Sequence, residues 1–333
     1  ENRTVKVNFY VEPGKRVQVR QIRFTGNTRT GDEVIRRELR QFEGSWYSQA
    51  AIDRSKIRLN RLGFFSEVEV ETPEVPGTDD QVDVVFNVKE TTSGTFMVGL
   101  GYSQVGGLIT SLSLSQNNFL GTGNRVGLGL QRNRYSERYD INYFDPYFTR
   151  DGISVGYNLS YSKLDQERYY IASYYSDRGV ARAIFGVPLT ETDTIGLSIG
   201  IDSNTIRPTF GTPQPIVDYI DALNKRTFHA WRTELSWARD SRNAYWNPTR
   251  GSFQRVAGEV TLPGSTVEYF KLYYQFARYW RVHRALVLMT AAEIGYGDSY
   301  GDKVTRVIYN EEGEIDRTVV ADGLPFFENF YAG

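Results

Sequence analysis

Cysteine is absent from this 333-residue chain, and histidine occurs only twice. The first absence excludes a disulfide framework, a thiolate nucleophile and a structural zinc site built on cysteine. The second leaves His229 and His283, each in or beside an alternating segment, without the spacing of a zinc-binding His-Glu-x-x-His helix. The chain is also read as lacking a nucleophile elbow, a phosphate-binding loop and the ligand spacing of a calcium loop, so no enzyme, cofactor or metal is expected. Long hydrophobic runs are missing: the longest, Ala285 to Ala292, is well short of the ~20 residues a membrane-spanning helix requires. Neither sign of charge is in excess, because Lys plus Arg number 39 and Asp plus Glu 40, which removes any global attraction to nucleic acid. No basic segment followed by an apolar one opens the chain. Glu1 to Val11 alternates like a strand, and the chain is expected to begin inside a domain, as a mature fragment.

What the chain does contain is glycine (31) alongside tyrosine (23) and phenylalanine (19), an aromatic load that argues against disorder. Residues 15 to 90 read as β-α-α-β-β. Val17 and Val19 alternate with polar neighbours, and Ile22 and Phe24 continue in the opposite phase, which places a bulge near Gln21. Thr30 and Glu33 have capping-box spacing, and Val34, Ile35, Leu39 and Phe42 then recur at helical intervals, predicting a first helix. Ser48 is expected to cap a second helix that turns Ile52, Leu59 and Leu62 inward, with Gly63 as the left-handed residue after its end. Val68 and Val70 alternate with Glu67, Glu69 and Glu71. After a turn from Pro73 to Asp80, Val82, Val84, Phe86 and Val88 complete a hairpin.

From Gly94 the helical period vanishes. Alternating segments fall near 95 to 104, 108 to 120, 124 to 135, 137 to 148, 153 to 166, 169 to 176, 180 to 188, 193 to 207, 226 to 240, 252 to 263, 268 to 282 and 285 to 298, two of them candidates for one long bent strand. In the first, Phe96, Val98, Leu100 and Tyr102 share one face and Gly99, Gly101 and Ser103 the other. A soluble sandwich also alternates. Small and polar residues on the second face, however, suit a wet lumen. Tyr135, Tyr143, Tyr147, Phe148, Tyr245, Trp246, Tyr279 and Trp280, near segment ends, suit the interfacial girdles of an outer-membrane barrel. Short turns, such as Gly121 to Asn124 and Arg150 to Gly152, alternate with long polar loops at 208 to 225 and 299 to 323, as barrels do. The expected fold class is an α+β domain followed by an antiparallel transmembrane β-barrel.

Several separated motifs, in this order and spacing, resemble the Omp85 superfamily along essentially the whole chain: Ile22-Arg23-Phe24-Thr25-Gly26-Asn27, Glu43-Gly44-Ser45-Trp46, Arg61-Leu62-Gly63-Phe64-Phe65, Asn118-Phe119-Leu120-Gly121-Thr122-Gly123-Asn124, Pro146-Tyr147-Phe148-Thr149-Arg150-Asp151-Gly152, Asp240-Ser241-Arg242 with Pro248-Thr249-Arg250-Gly251, and Phe326-Phe327-Glu328-Asn329-Phe330-Tyr331-Ala332-Gly333. The resemblance implies that residues 1–13 end a preceding POTRA domain, 14–91 form the membrane-proximal POTRA domain, and 92–333 form the N-terminal part of the barrel, reaching extracellular loop 6. It implies a barrel that is 16-stranded in the intact family, with the C-terminal strands and a Val-Arg-Gly-Phe-type loop motif missing here. It also implies the bacterial outer membrane as location, with the POTRA domain in the periplasm. The implied function is to fold and insert outer-membrane β-barrel proteins by strand templating at the seam between first and last strands. Unfolded clients, periplasmic chaperones, outer-membrane lipid and the Bam lipoproteins, especially a BamD-type subunit at the POTRA domain, would be its partners. A two-partner secretion pore or a TamA-type translocation or assembly protein is the alternative.

Given that seam, the first barrel strand is read as the client template: Gly94, Thr95, Phe96, Val98, Gly99, Leu100 and Gly101. Its glycines would weaken its own pairing, and Phe96, Val98 and Leu100 would face lipid. Alternating glycines equally fit a crowded lumen wall. Glu43 is the candidate contact for the BamD-type subunit, with a solvated turn carboxylate as the alternative. Asp240, Arg242, Pro248, Arg250 and Gly251 match the family's strand-turn-strand signature and are read as structural. Arg239 and Arg242 near the rim fit interfacial snorkelling.

Overall fold

The computed structural model describes residues 16–104, 106–165, 174–243, 247–284 and 286–330. The expected end of a preceding domain at 1–13, the girdle residues Tyr245 and Trp246, and Tyr331 to Gly333 lie outside the described residues. The chain divides into two units, one of Glu1–Gly94 with Asn117–Gly123 and one of Thr95–Gln116 with Asn124–Gly333.

In the first unit, β1 (Gln18–Thr25), α1 (Asp32–Arg36), α2 (Gln49–Arg61), β2 (Phe65–Glu71) and β3 (Gln81–Glu90) follow in order. The sheet has the order β1-β3-β2, with β1 parallel and β2 antiparallel to β3. The register of β1 slips between Val19 and Gln21, so the change of phase in the sequence is a bulge that turns both Val19 and Ile22 inward. These two pack with Val84 and Phe86 of the sheet against Val34, Ile35, Ile52 and Leu59 of the helices. Each such burial contributes roughly 1.5–3 kcal/mol. The hydroxyl of Ser48 accepts from the Ala51 amide at 3.3 Å, and Gly63 lies at φ +73°, so α2 is capped at its start and stopped beyond its end as expected.

The first helix departs from its expectation. Its N-cap is Gly31, without a side-chain bond, because Thr30 is engaged elsewhere: its amide donates to Glu90 at 2.7 Å and its hydroxyl accepts from Asn118 at 2.8 Å. The helix stops at Arg36. Leu39 is still buried, but Phe42, which the helical spacing turned inward, is 61% exposed.

The second unit carries an eleven-stranded antiparallel sheet in which every strand pairs with its neighbour in sequence. Its strands are β4 (Gly94–Ser103), β5 (Gly107–Phe119), β6 (Asn124–Arg132), β7 (Ser136–Asp145), β8 (Ser154–Asp165), β9 (Tyr174–Pro188), β10 (Asp193–Pro208), β11 (Thr227–Asp240), β12 (Gly251–Thr261), β13 (Tyr269–His283) and β14 (Leu286–Ser299). The segments at 169–176 and 180–188 are one strand, β9, from Tyr174 onward. Among the described residues, β4 and β14 are the edges.

Two expected loops hold structure instead. Within 208–225 lies α3 (Gln214–Leu223), opened by Pro213, with Ile216, Tyr219, Ile220 and Leu223 on one packed side. Its short pattern is obscured in the sequence by the surrounding polar and proline residues. Within 299–323 lies the hairpin β15 (Val304–Tyr309) and β16 (Ile315–Ala321), closed by a turn in which the Asn310 side chain accepts from the amides of Glu312 and Glu314. Contrary to the expected absence of an elbow, Gly196-Leu197-Ser198-Ile199-Gly200 has nucleophile-elbow spacing. It lies in the interior of β10, paired on both sides, whereas an elbow needs a sharp strand-to-helix turn.

Candidate functional site

Period-two alternation sorts the sheet into two chemically distinct faces. Tyr139, Ile141 and Tyr143 of β7 stand opposite Tyr161, Leu159 and Tyr157 of β8, and the row continues through Ala181 and Ala183 of β9 to Ile201 and Ile199 of β10 and Trp231 of β11. On the other face, Asn142 and Asn158 bond across the strands at 2.6 Å, and charged side chains from each of β9 to β13 meet in one cluster.

The first strand, β4, begins where the chain leaves the first unit. Phe96 (66%), Val98 (64%), Leu100 (77%) and Tyr102 (79%) stand exposed along one side, and Thr95 and Gly101 are exposed as well. On the other side, a side chain at Gly99 would overlap the hydroxyl of Ser111, so β4 and β5 approach closely there, and Gly101 faces Ile109. Gly94 and Gly99 are half-buried. The strand therefore combines a free backbone edge, among the described residues, with an apolar exposed side and an inner side on which Gly99, Gly101 and Ser103 are small and Met97 is not.

On the polar face the structure assembles a site that the sequence reading missed. Asp202 (β10), Arg232 (β11), Glu259 (β12) and Lys271 (β13) lie within 2–7% exposure and surround Glu328, itself 6% exposed, which sits in a 3-10 turn, Phe326–Glu328. Lys271 donates to Glu328 at 2.6 Å, and Arg178 of β9 approaches it at 3.3 Å. Arg232 donates to Glu328 and also pairs with Asp202 at 3.0 Å and Glu259 at 3.3 Å, while the Tyr269 hydroxyl donates to Glu259 at 3.3 Å. Arg178, Arg232 and Lys271 balance Asp202, Glu259 and Glu328, so the buried group is neutral as a whole. Burial alone would raise the Glu328 pKa, but Arg232, Lys271 and Arg178 outweigh it and hold this carboxyl below its ordinary value. Phe326 and Phe327 beside it pack on Tyr174 and Phe228 at 5.6 and 5.2 Å between ring centres. This cluster pins the segment after the β15–β16 hairpin to the inner face. Each strand member carried a signal, a charge on the polar side of its alternation. Glu328, 57 to 150 residues beyond the three cations it binds, carried none.

Glu43 belongs to the first unit and is tied into it. Its carboxylate accepts the Ile22 amide of β1 at 2.9 Å and pairs with Arg36 at 3.2 Å, which hold its pKa below the ordinary value. Gly44, Ser45 and Tyr47 then bond to the outer edge of β1, so Glu43 opens a strand-like cover on that edge. Its side chain remains 42% exposed.

The signature at 240–251 forms the turn between β11 and β12. Arg242 makes a two-pronged pair with Asp240 at 2.8 and 2.6 Å and lies 5.2 Å over the Phe253 ring. Gly251 adopts φ +98° where any side chain would strike the Ser241 carbonyl. The turn is closed by Asn243, whose side-chain oxygen accepts from the amides of Thr249 and Arg250 at 2.9 and 3.0 Å. Pro248 precedes them, and Arg250 is exposed. Arg239 is 4.0 Å from Asp193 at the same rim.

A β-α-α-β-β unit leading into a large antiparallel sheet with an apolar outer face defines a POTRA-bearing outer-membrane β-barrel protein. A family model described as "Omp85 superfamily domain" matches residues 118–333, and one described as "Surface antigen variable number repeat", the POTRA family, matches residues 17–91. This chain belongs to the Omp85 superfamily, and its place is the outer membrane with the POTRA domain in the periplasm. The "Outer membrane protein assembly factor BamA" of Neisseria meningitidis is 31% identical over 342 residues, covering 100% of this chain and 41% of that protein. The crystal structure of BamA from Haemophilus ducreyi lacking POTRA domains 1-3 superposes with a TM-score of 0.70 at 31% identity, over 97% of this chain and 59% of that one. CdiB from Escherichia coli, at 15% identity and a TM-score of 0.53 over 92% of this chain and 60% of that one, shares the fold alone. The chain thus spans 41% of the length of its Neisseria relative.

Proposed function

We propose that the intact protein is the core subunit of a β-barrel assembly machinery, an assembly factor and not an enzyme, which folds and inserts outer-membrane β-barrel proteins. In this reading residues 14–91 are the membrane-proximal POTRA domain and 92–333 the N-terminal part of a 16-stranded transmembrane barrel. The observation that carries it is β4, an edge among the described residues, with exposed Phe96, Val98 and Leu100 on one side and Gly99 and Gly101 closely approached by β5 on the other. An unpaired backbone group in hydrocarbon costs several kcal/mol. A weakly sealed edge therefore has a strong drive to take up another strand, and an unfolded client with unpaired strands of its own supplies one. Gly94, Thr95, Phe96, Val98, Gly99, Leu100 and Gly101 serve as the template. The finished client barrel supplies the free energy, so no nucleotide is consumed.

Periplasmic chaperones deliver clients, and Bam lipoproteins dock on the POTRA domain. Glu43 contacts the BamD-type subunit through its exposed side, although its bonds to Ile22 and Arg36 give it a structural role as well. Asp240, Arg242, Pro248, Arg250 and Gly251 shape the turn. Gly99→Pro in the intact protein tests the template, because proline removes a backbone donor from β4 and a ring would meet Ser111. Client insertion should be lost with the POTRA domain still folded, and wild-type insertion by this variant would refute the reading. For Glu43, charge reversal to Lys should reduce co-purification of the BamD-type subunit, and unchanged co-purification would remove the residue from the interface.

A further inference from the structure

At the end of the sheet where β4 begins, the end of β11, the β11–β12 turn and the end of β13 bring five arginines together. Two have carboxylates: Arg242 pairs with Asp240 at 2.6 Å and Arg239 lies 4.0 Å from Asp193. Arg250, Arg278 and Arg281 make no ion pair among the described residues. These three line a cavity of about 490 Å³ together with Ser241, Ser252 and Trp280.

The register places Arg278 on the outer face. It stands between Ser252 of β12 and Thr290 of β14, in line with exposed Leu272 and Tyr274 of its own strand, and its guanidinium lies 5.2 Å over the Trp280 ring. Beyond it, β13 and β14 run past the start of β12, since Gly251 pairs with Tyr279. This overhang exposes Trp280 (37%), Val282 (62%), Leu286 (58%) and Leu288 (53%). At the rim of a lipid-facing surface such a cation is tolerated, and an anion placed beside it there is bound favourably.

We infer that this cavity holds the phosphate of an anionic glycerophospholipid from the periplasmic leaflet. Arg278 and Arg250 grip the phosphate, and the acyl chains lie over Trp280, Val282, Leu286 and Leu288. Two features together select a lipid over an acidic polypeptide. Guanidinium groups suit phosphate oxygens, and the apolar strip continuing from the cavity suits acyl chains, for which an acidic segment has no use.

The test uses the intact protein in nanodiscs of phosphatidylcholine with a minor fraction of phosphatidylglycerol, followed by stepwise delipidation and mass spectrometry of retained lipid. Wild type should retain phosphatidylglycerol over phosphatidylcholine. The double variant Arg250→Gln with Arg278→Gln should lose about tenfold in that preference, equivalent to one charge-assisted contact. Heat-dependent gel migration reports whether the variants are folded. Arg250→Gln alone, in an exposed turn position, gives a second readout with a smaller loss, and the double Lys variant should keep part of the preference. Absence of a preference in wild type, or equal retention by the folded double variant, would overturn the proposal. So would detergent-stable binding of polyglutamate that disappears in the double variant, because that result would assign the cavity to a protein partner. No client takes part, so failure here leaves the assembly function standing.

Discussion

Glu328→Gln removes one charge from the buried group on the inner face while keeping the shape of the side chain. Three cations, Arg178, Arg232 and Lys271, then share Asp202 and Glu259. Removing one partner from a buried pair costs about 3–5 kcal/mol, and because Lys271 and Arg232 are both within 8% side-chain exposure, solvent relieves little of it. Arg178 is 35% exposed and adds less. The expected loss is therefore about 3–5 kcal/mol, measured by urea unfolding of the intact protein in detergent, with faster proteolysis of residues 324–330. Adding Lys271→Met restores neutrality, and the double variant should be more stable than Glu328→Gln alone. The carboxyl is held below its ordinary pKa of 4.5, so its contribution is complete above that value and fades as pH falls through the lowered one. The difference between wild type and Glu328→Gln should shrink accordingly in acid. A loss under about 1 kcal/mol, or a double variant less stable than the single one, would refute the account of a charge-balanced pin.

Other consequences follow for the POTRA unit. Glu43→Ala should cost only about 1 kcal/mol, because the lost bonds to Ile22 and Arg36 are partly screened by solvent. Faster amide exchange at Ile22 is the local check, and the effect should vanish below the lowered pKa of Glu43, where the wild-type carboxyl is protonated too. Gly26→Ala should cost about 2 kcal/mol or more, since Gly26 sits at φ +84° and a methyl group would overlap the Val88 carbonyl. A stability change within about 0.5 kcal/mol would show that the turn adapts.

Much of this architecture was legible in the alternation alone. A period of two marks every strand from β4 to β14, because one face meets an apolar medium and the other a polar one. Ser48 and Gly63 announced α2, since capping chemistry is local. Where distant residues compete, the sequence was opaque. Thr30 has the spacing of a cap, but Glu90 and Asn118 claim it. Ile216, Tyr219 and Ile220 form a helix inside what read as a polar loop, because packing on Phe228 and the turn at Phe326 stabilises a segment with few local signals. Glu328 stands in a motif that shows no role in the sequence, since its partners Arg178, Arg232 and Lys271 lie on three different strands and no spacing rule connects them.

The central claim is that β4 receives client strands. Photocrosslinkers at Phe96, Val98 and Leu100 of the intact protein, activated during insertion of a model outer-membrane client, test it most directly. The account predicts adducts with the client's C-terminal strand that form and disappear as insertion proceeds. Adducts only with the protein's own last strand, while the client still inserts, would contradict it.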